Sequence, residues 1–221
     1  ALGYVSDKLV SLGAASILSE TTELMGTEDI LAARCIDERV AKDLLDMIKN
    51  NEEHFALAGE NIRDGNPSPG NKEGGLTTIE EKSLGCINKA GYSTINEVYG
   101  YGEQITKKGL VVMDTPGQDI ASIAAMVAGG AQIVIFTTGR GTPTGNGIVP
   151  VIKLTGNAET FSLMNDNIDF DASAIVAGKA SIAETGEKLF DLMMEVVNGR
   201  MSKAEALGFN DMSMARKCNF C

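Results

Sequence analysis

The chain is poor in basic residues and in histidine. Its 221 residues include 30 Asp and Glu against 19 Lys and Arg, and the formal net charge at pH 7 is −11. A charge of this sign argues against nucleic acid and anionic membranes as partners. Because His54 is the single histidine, any metal site made by this chain is expected to be rich in oxygen ligands.

Long apolar runs are also missing. No stretch reaches the roughly 18 apolar residues that suggest a membrane-spanning helix. The first residues lack the positive and then apolar pattern of a secretory signal. Since 43% of the residues are hydrophobic, the composition is that of a globular protein. We therefore expect a cytoplasmic protein with no membrane partner.

Nucleotide-binding motifs are absent as well. Asp114-Thr-Pro-Gly resembles the magnesium-facing DxxG of GTPases, but no GxxxxGK[ST] phosphate loop accompanies it. The Gly-Arg-Gly-Thr run at 139–142 lacks the GxGxxG spacing of a dinucleotide site. Nucleotide binding is therefore a disfavoured alternative.

Cysteines are few and scattered. Cys35 and Cys86 lie in apolar, helical contexts and are predicted to be buried thiols in a reducing compartment. Cys218 and Cys221 form a CxxC without the second ligand pair that a zinc site needs. We expect a frayed chain end there, with a redox or metal role as the alternative.

Apolar segments predict the fold class. Buried strands are expected at 14–19, 109–114, 131–136 and 149–154, and helices at 27–60, 78–90, 120–127, 156–165 and 181–198. The strand–helix–strand order over 109–136 is that of a βαβ unit with strands buried on both faces. The sequence therefore predicts an α/β fold, with a mostly parallel sheet flanked by helices in a single compact domain. Residues 60–108 are a candidate inserted lobe.

The most distinctive segment is 64–85. Two prolines and four glycines precede a helix start that carries Thr77 and Thr78. Such loops often hold binding groups, and a helix N-terminus suits an anion. The alternative is a plain entry loop, with Thr77 and Glu80 or Thr78 and Glu81 as a capping box.

Three predicted strands end in polar residues. These ends are Ser19-Glu20, Asp114-Thr115 and the 137–140 run Thr-Thr-Gly-Arg. Ligands of open α/β sheets collect beyond the carboxyl ends of the strands. We therefore expect these ends to converge, with the 64–85 loop as a fourth wall of one site.

The sequence of these segments resembles that of the altronate/galactarate dehydratase family. The resemblance lies in 66–72 (Asn-Pro-Ser-Pro-Gly-Asn-Lys), 74–85, 114–117, 127–131 and 136–141, and it covers nearly the whole chain. It implies the C-terminal portion of a hydro-lyase that removes water from a sugar acid, giving a 2-keto-3-deoxy sugar acid. In that family this portion follows an upstream part with a Gly/Ser/Asp-rich motif, which we expect to be missing here. The large subunit of sulfolactate sulfo-lyase shares the pattern, and a non-catalytic isolated domain is a further alternative.

Candidate roles follow from residue chemistry at these positions. The planar Arg140 guanidinium suits a substrate carboxylate, and a surface salt bridge is its alternative. We predict Lys82, Glu80 and Asp114 as catalytic groups, and Glu20 and Asp114 as metal ligands, with Glu23 within reach. Capping, solvated-loop and surface roles are the alternatives. The predicted substrate-binding residues are Asn66, Asn71, Thr77, Thr78, Thr115, Thr138 and Arg140.

Dehydration of a sugar acid creates a negative charge next to its carboxylate, so a cation is needed nearby. The family resemblance implies Fe²⁺ or Mn²⁺, with Mg²⁺ as an option, and some ligands could lie in the upstream part. We also expect a homo-oligomer acting in carbohydrate catabolism.

Overall fold

Six short strands form two parallel sheets in a computed structural model that describes residues 1–215. In the first sheet, β1 (Ala15–Leu18), β3 (Gly109–Met113) and β2 (Ile95–Tyr99) lie in that order. In the second sheet, β4 (Val134–Thr137), β5 (Val151–Thr155) and β6 (Phe170–Asp171) lie in that order. All strand pairs are parallel. The predicted CxxC at Cys218 and Cys221 lies outside the described residues.

Helices connect and cover the strands. They are α1 (Leu2–Ser11), α2 (Glu28–Ala32), α3 (Glu38–Leu57), α4 (Ile62–Gly65), α5 (Pro69–Glu73), α6 (Ile79–Ile87), α7 (Asp119–Ala128), α8 (Ala158–Leu163), α9 (Ser173–Val176), α10 (Ile182–Val197) and α11 (Lys203–Ala206), with 3-10 turns at Thr21–Glu23 and Asn88–Ala90. Within the described residues, no helix is long and apolar enough to cross a membrane.

Local sequence signals explain several helix starts. The Asp37 side chain accepts a hydrogen bond from the Val40 N–H at the start of α3. Ser181 and Glu184 form a reciprocal capping box at the start of α10. These bonds satisfy backbone donors that the first helical turn leaves without partners.

Each sheet is built around one fully buried strand. All five residues of β3 and all five of β5 are buried, as is typical of strands covered on both faces. Helix α1 packs against α10 and against β1 and β3. The predicted α/β class, with parallel strands and flanking helices in one compact domain, is confirmed. Strand β2 lies within the predicted 60–108 lobe, whose status as an insertion stays a prediction.

The structure differs from the sequence expectations in two places. The strands of the expected βαβ unit over 109–136 lie in different sheets, because β3 pairs with β1 and β2 whereas β4 pairs with β5. The helix expected over 27–60 is interrupted between α2 and α3. There Cys35 makes a parallel bridge to Ile95, and the Ile36 N–H donates to the Ile95 carbonyl. Pairing with β2 therefore overrides the helical periodicity.

Candidate active site

The carboxyl end of β1 leads into an unusual turn. Glu20 has a φ of 68°, a left-handed value that is uncommon for a residue with a side chain. Its N–H donates to the Thr115 hydroxyl at 2.7 Å, and the Thr21 N–H donates to the Thr115 carbonyl at 2.9 Å. These bonds tie the end of β1 to the end of β3. Backbone strain held in this way is frequent at functional sites.

Glu20 itself is partly buried. Burial raises the pKa of Glu20 to about 7, Lys89 opposes that rise, and Glu23 adds to it. A carboxyl group in this range can both give and take a proton near neutral pH. Glu20 thus has the property expected of an acid–base group.

Lys82 joins α6 to the turn after β1. Its ammonium lies 2.7 Å from Oε1 of Glu23 and 2.8 Å from Oδ1 of Asn66. The Asn66 amide in turn donates to the Thr22 carbonyl at 3.3 Å. The distinctive Pro/Gly loop and the end of β1 are therefore brought together through one half-buried lysine.

Two further contacts complete this cluster. The Cys86 thiol lies 3.2 Å from Oε2 of Glu23, and burial raises the pKa of Cys86 to about 12. Gly117, after β3, lies so close to Thr22 that a Cβ there would stand 2.5 Å from the Thr22 hydroxyl. Glycine at this position therefore allows the loop after β3 to approach the Glu23 turn.

Arg140 reaches the same loop from the second sheet. A Cβ on Gly70 would overlap the Arg140 guanidinium, so the side chain lies directly over Gly70. Thr138 shapes this turn, because its hydroxyl accepts a hydrogen bond from the Gly141 N–H at 3.0 Å. Within residues 1–215, no carboxylate pairs with Arg140. Its planar donors are thus available to a carboxylate ligand.

Asp114 faces a different direction. Its Oδ1 accepts hydrogen bonds from the Thr21 hydroxyl at 2.7 Å and the Asn51 amide at 3.0 Å. It lies on a groove against α3 that His54 also lines. Thr21 therefore stands between Asp114 and the Lys82 cluster.

The N–H groups at the start of α6 make hydrogen bonds with nearby side chains. The Glu81 carboxylate accepts from the Thr77 N–H at 2.8 Å, and the Thr78 hydroxyl accepts from the Glu81 N–H at 3.3 Å. Glu80 pairs with Arg63 at 2.9 Å on the exposed side of the helix. These contacts match the capping alternative for this segment. Asn71 lies in α5, half-buried, within the same loop.

The structure thus sorts the predicted residues into groups. Lys82 contacts Asn66, and Glu20 contacts Thr115. Arg140 lies over Gly70 of the loop that carries Asn66. Asp114, Glu80, Thr77 and Thr78 are held by other partners. Sequence reasoning gave Cys86 only a buried-thiol role and did not single out Thr21, Asn51 or Lys89. No motif marks these residues, because their positions depend on tertiary packing.

The described residues do not by themselves fit a divalent metal. Among residues 1–215, no group of three or more His, Cys, Asp or Glu side chains could hold one. Asp114 and Glu23 are already bound by Thr21 and Lys82.

The chain is similar in sequence to known proteins over most of its length. Residues 1–219 match the sequence model of the family described as D-galactarate/Altronate dehydratase, C-terminal. The chain is 38% identical over 213 residues to altronate dehydratase of Escherichia coli (strain K12), covering 96% of this chain and 42% of that protein. It is 41% identical over 200 residues to galactarate dehydratase (L-threo-forming) of the same strain, covering 90% and 38%.

A third relative carries a different name. The chain is 34% identical over 220 residues to (2R)-sulfolactate sulfo-lyase subunit beta of Chromohalobacter salexigens, covering 97% of this chain and 56% of that protein. The chain thus spans about two fifths of the dehydratases and just over half of the sulfo-lyase subunit. The chain belongs to the D-galactarate/altronate dehydratase family and corresponds to its C-terminal region.

Proposed function

We propose that the whole protein removes water from a sugar acid of the altronate or galactarate type and releases a 2-keto-3-deoxy sugar acid. The observation that carries the proposal is the cluster of Lys82, Glu23, Asn66 and Glu20 at the carboxyl edge of the first sheet. Such edges are the usual binding places of α/β folds. Family membership supports the same reaction class.

The reaction needs a proton acceptor and a stabilising positive charge. A base takes the proton from the carbon next to the substrate carboxylate, and the electron pair passes into an enediolate. The hydroxyl on the neighbouring carbon then leaves as water after gaining a proton, and the resulting enol becomes a ketone. We assign the proton transfers to Glu20, whose pKa of about 7 suits both directions.

Lys82 is the proposed electrostatic partner of this step. Its ammonium is fixed by Glu23 and Asn66, so it needs little reorganisation when negative charge develops on the substrate. Asn66 and Thr115 are the proposed hydroxyl-binding groups nearest to it. Glu80 and Asp114 are weaker candidates for acid–base work, because Arg63, Thr21 and Asn51 already bind their carboxylates.

Arg140 is proposed to bind the substrate carboxylate. The guanidinium lies over Gly70 on the loop that also carries Asn66. A bidentate pair with a carboxylate fixes both distance and orientation. We propose that this contact places the neighbouring carbon near Glu20.

We propose that Fe²⁺ or Mn²⁺, with Mg²⁺ as an option, takes some of its ligands from outside the described residues. We also propose that the whole protein is a cytoplasmic homo-oligomer acting in carbohydrate catabolism. The isolated chain is proposed to be inactive without the upstream part of the whole protein.

The test is a comparison of substrates with the whole protein. We expect formation of the 2-keto-3-deoxy acid from altronate or galactarate and no sulfite from sulfolactate. Arg140→Ala is expected to raise KM by about 10²-fold, the loss typical of a charged pair. Arg200→Ala, which removes an exposed arginine paired with Glu195, is the matched control. Sulfite release without dehydration would instead support the sulfo-lyase alternative, and unchanged kinetics in Arg140→Ala would remove Arg140 from the site.

A further inference from the structure

A long cavity separates the two sheets. It has a volume of about 920 Å³, and β1 and β4 form its opposite walls over their whole length. Almost all Cα atoms of these two strands lie more than 8 Å apart, whereas paired strands are about 4.8 Å apart. The two strands are therefore too far apart to pair with each other along their length.

Both walls of this cavity are strand edges. The Gly109 N–H donates to the Ala14 carbonyl, so residues 14, 16 and 18 face β3, and the alternate residues face the cavity. In the same way the Val134 N–H donates to Pro150, so residues 133, 135 and 137 face the cavity. The cavity-facing amides are those of Ala15, Ile17, Ser19, Ile133, Ile135 and Thr137. Within residues 1–215 none of them has an acceptor.

The two strands run in the same direction. The Ile105 N–H, just before β3, donates to the Gly129 carbonyl, just before β4. At the other end, Arg140 after β4 lies over Gly70, whose loop is tied to the end of β1. A parallel strand in the cavity can therefore pair with both edges at once.

The lining of the cavity fits a buried strand better than a sugar acid. One face is formed by apolar residues of α1 and α10, including Val5, Leu9 and Met193, and the other by Met126 of α7. Charged groups lie at the two ends of the cavity, with Glu20 and Glu23 after β1 and with Lys107 and Lys108 before β3. A strand covered on both faces is typically apolar throughout.

Helix α1 points to the source of this strand. Its last residue, Ser11, is three residues from β1, so α1 runs back across the sheet and Ala1 lies at the carboxyl edge. A parallel strand in the cavity would end at that same edge. A short loop would then join it to α1, which is the connection of a βαβ unit.

We propose that the cavity between β1 and β4 is filled by a β-strand of about four or five residues from the polypeptide that precedes residue 1 in the whole protein. This strand joins the two sheets into one seven-stranded parallel sheet, and the loop after it reaches Glu20. The family relatives have the necessary length, because this C-terminal region spans about two fifths of the dehydratases. This strand would fill the cavity whichever reaction the protein catalyses.

Hydrogen exchange of single amides tests the proposal. In the whole protein, we expect the six cavity-facing amides to exchange at least about 10²-fold more slowly than in the 221-residue chain. The amides of Ser16, Leu18, Val134 and Phe136 already pair within their sheets and serve as the internal control. Fast exchange at the six positions in the whole protein would overturn the proposal, and this measurement stands even if the shorter chain does not fold.

The shorter chain distinguishes other occupants. Slow exchange of the six amides at low concentration would mean that β1 and β4 close on each other. Slow exchange that appears only as concentration rises would identify a second copy, and slow exchange that requires added galactarate would identify the substrate. Each of these three outcomes contradicts the proposal when the six amides exchange no more slowly in the whole protein than in the shorter chain.

A proline pair gives a second test. Ile17→Pro removes a cavity-facing N–H, so we expect a larger fall in Tm in the whole protein than in the 221-residue chain. Ser16→Pro removes an N–H that faces β3, so we expect equal falls in both. Equal falls for Ile17→Pro as well would argue against strand pairing at this edge.

Discussion

The two sheets have the same size and direction but place their charges differently. In the first sheet, the central strand β3 is entirely apolar, and the charged groups Glu20, Glu23 and Lys82 lie beyond its carboxyl edge. In the second sheet, the central strand β5 carries Lys153, whose side chain is fully buried. A lysine at the edge is available to a ligand, whereas a lysine inside the sheet is available only to the protein.

The partners of Lys153 explain its position. Its ammonium donates to the carbonyls of Thr144 at 3.0 Å and Pro143 at 3.3 Å, and burial lowers the pKa of Lys153. These bonds hold the segment between Arg140 and β5. The comparison therefore predicts that the first sheet loses activity, and the second loses stability, when its lysine is replaced.

The largest expected effect is that of Lys82→Met in the whole protein. Removing a fixed positive charge from a developing anion is expected to lower kcat/KM by about 10³-fold. Steady-state kinetics measures this loss, and Lys42→Met, at an exposed lysine on α3, is the control. Full activity in Lys82→Met would exclude an electrostatic role for Lys82. The lysines of the two sheets would then no longer differ in serving activity and stability.

Glu20→Gln should change stability in a pH-dependent way. The folded pKa of about 7 lies above the ordinary 4.5, so protonation stabilises the fold below pH 4.5, and this contribution is lost as the pH rises through 7. Glutamine does not titrate. We therefore expect the variant to be more stable than the wild type at pH 8, by up to roughly 3 kcal/mol, and the difference to shrink at pH 5.

Urea unfolding at the two pH values measures this difference. Glu159→Gln, at an exposed position of α8, is the matched control and should show no such trend. A pH-independent difference for Glu20→Gln would mean that Glu20 is not a buried acid, and the acid–base assignment would then fall.

Lys153→Met should destabilise the second sheet. The change leaves the buried Thr144 carbonyl without its donor, at a cost of about 1–3 kcal/mol. We expect a fall in the free energy of unfolding larger than that of Lys82→Met, with exposed Lys179→Met as the control. Chemical denaturation measures it. A stability equal to the wild type would show that the loop holds its place without Lys153.

Gly70→Ala should have the smallest effect. It tests the contact between the loop beside the first sheet and Arg140, which follows a strand of the second sheet. Its Cβ would displace only the flexible end of Arg140, so Tm should change little while KM rises a few-fold, in line with a weakened ion pair. Gly65→Ala, where a Cβ meets nothing within 4 Å, is the control. An unchanged KM would separate Arg140 from substrate binding.

Sequence patterns predicted the main helices and strands, because the spacing of apolar residues indicates which side chains are buried. The strand at 109–114 and the capped helix at 181–198 correspond closely to β3 and α10. The separation into two sheets was not predictable, since no pattern in β1 or β4 records which neighbour each strand has. The burial of Lys153 was also not predictable, because a single lysine in an apolar strand does not indicate whether its ammonium has hydrogen-bond acceptors in the fold.

The sequence also indicated part of the geometry of the candidate site, whose functional roles stay predictions. The loop carrying Asn66 and the ends of three strands were identified because turn residues and polar strand ends are local signals. The separation of Lys82 from Asp114 was not predictable, because it depends on the position of Thr21 between them in the fold. Threonine at that position has no special local signature.

The thiol of Cys86 has a practical consequence for handling the protein. It touches Glu23 beside Lys82, yet with a pKa of about 12 it carries almost no thiolate at neutral pH. Alkylating agents and peroxide attack the thiolate form. Iodoacetamide should therefore leave Cys86 unmodified in the native state, and the proposed reaction should proceed without a reducing agent to protect this cysteine.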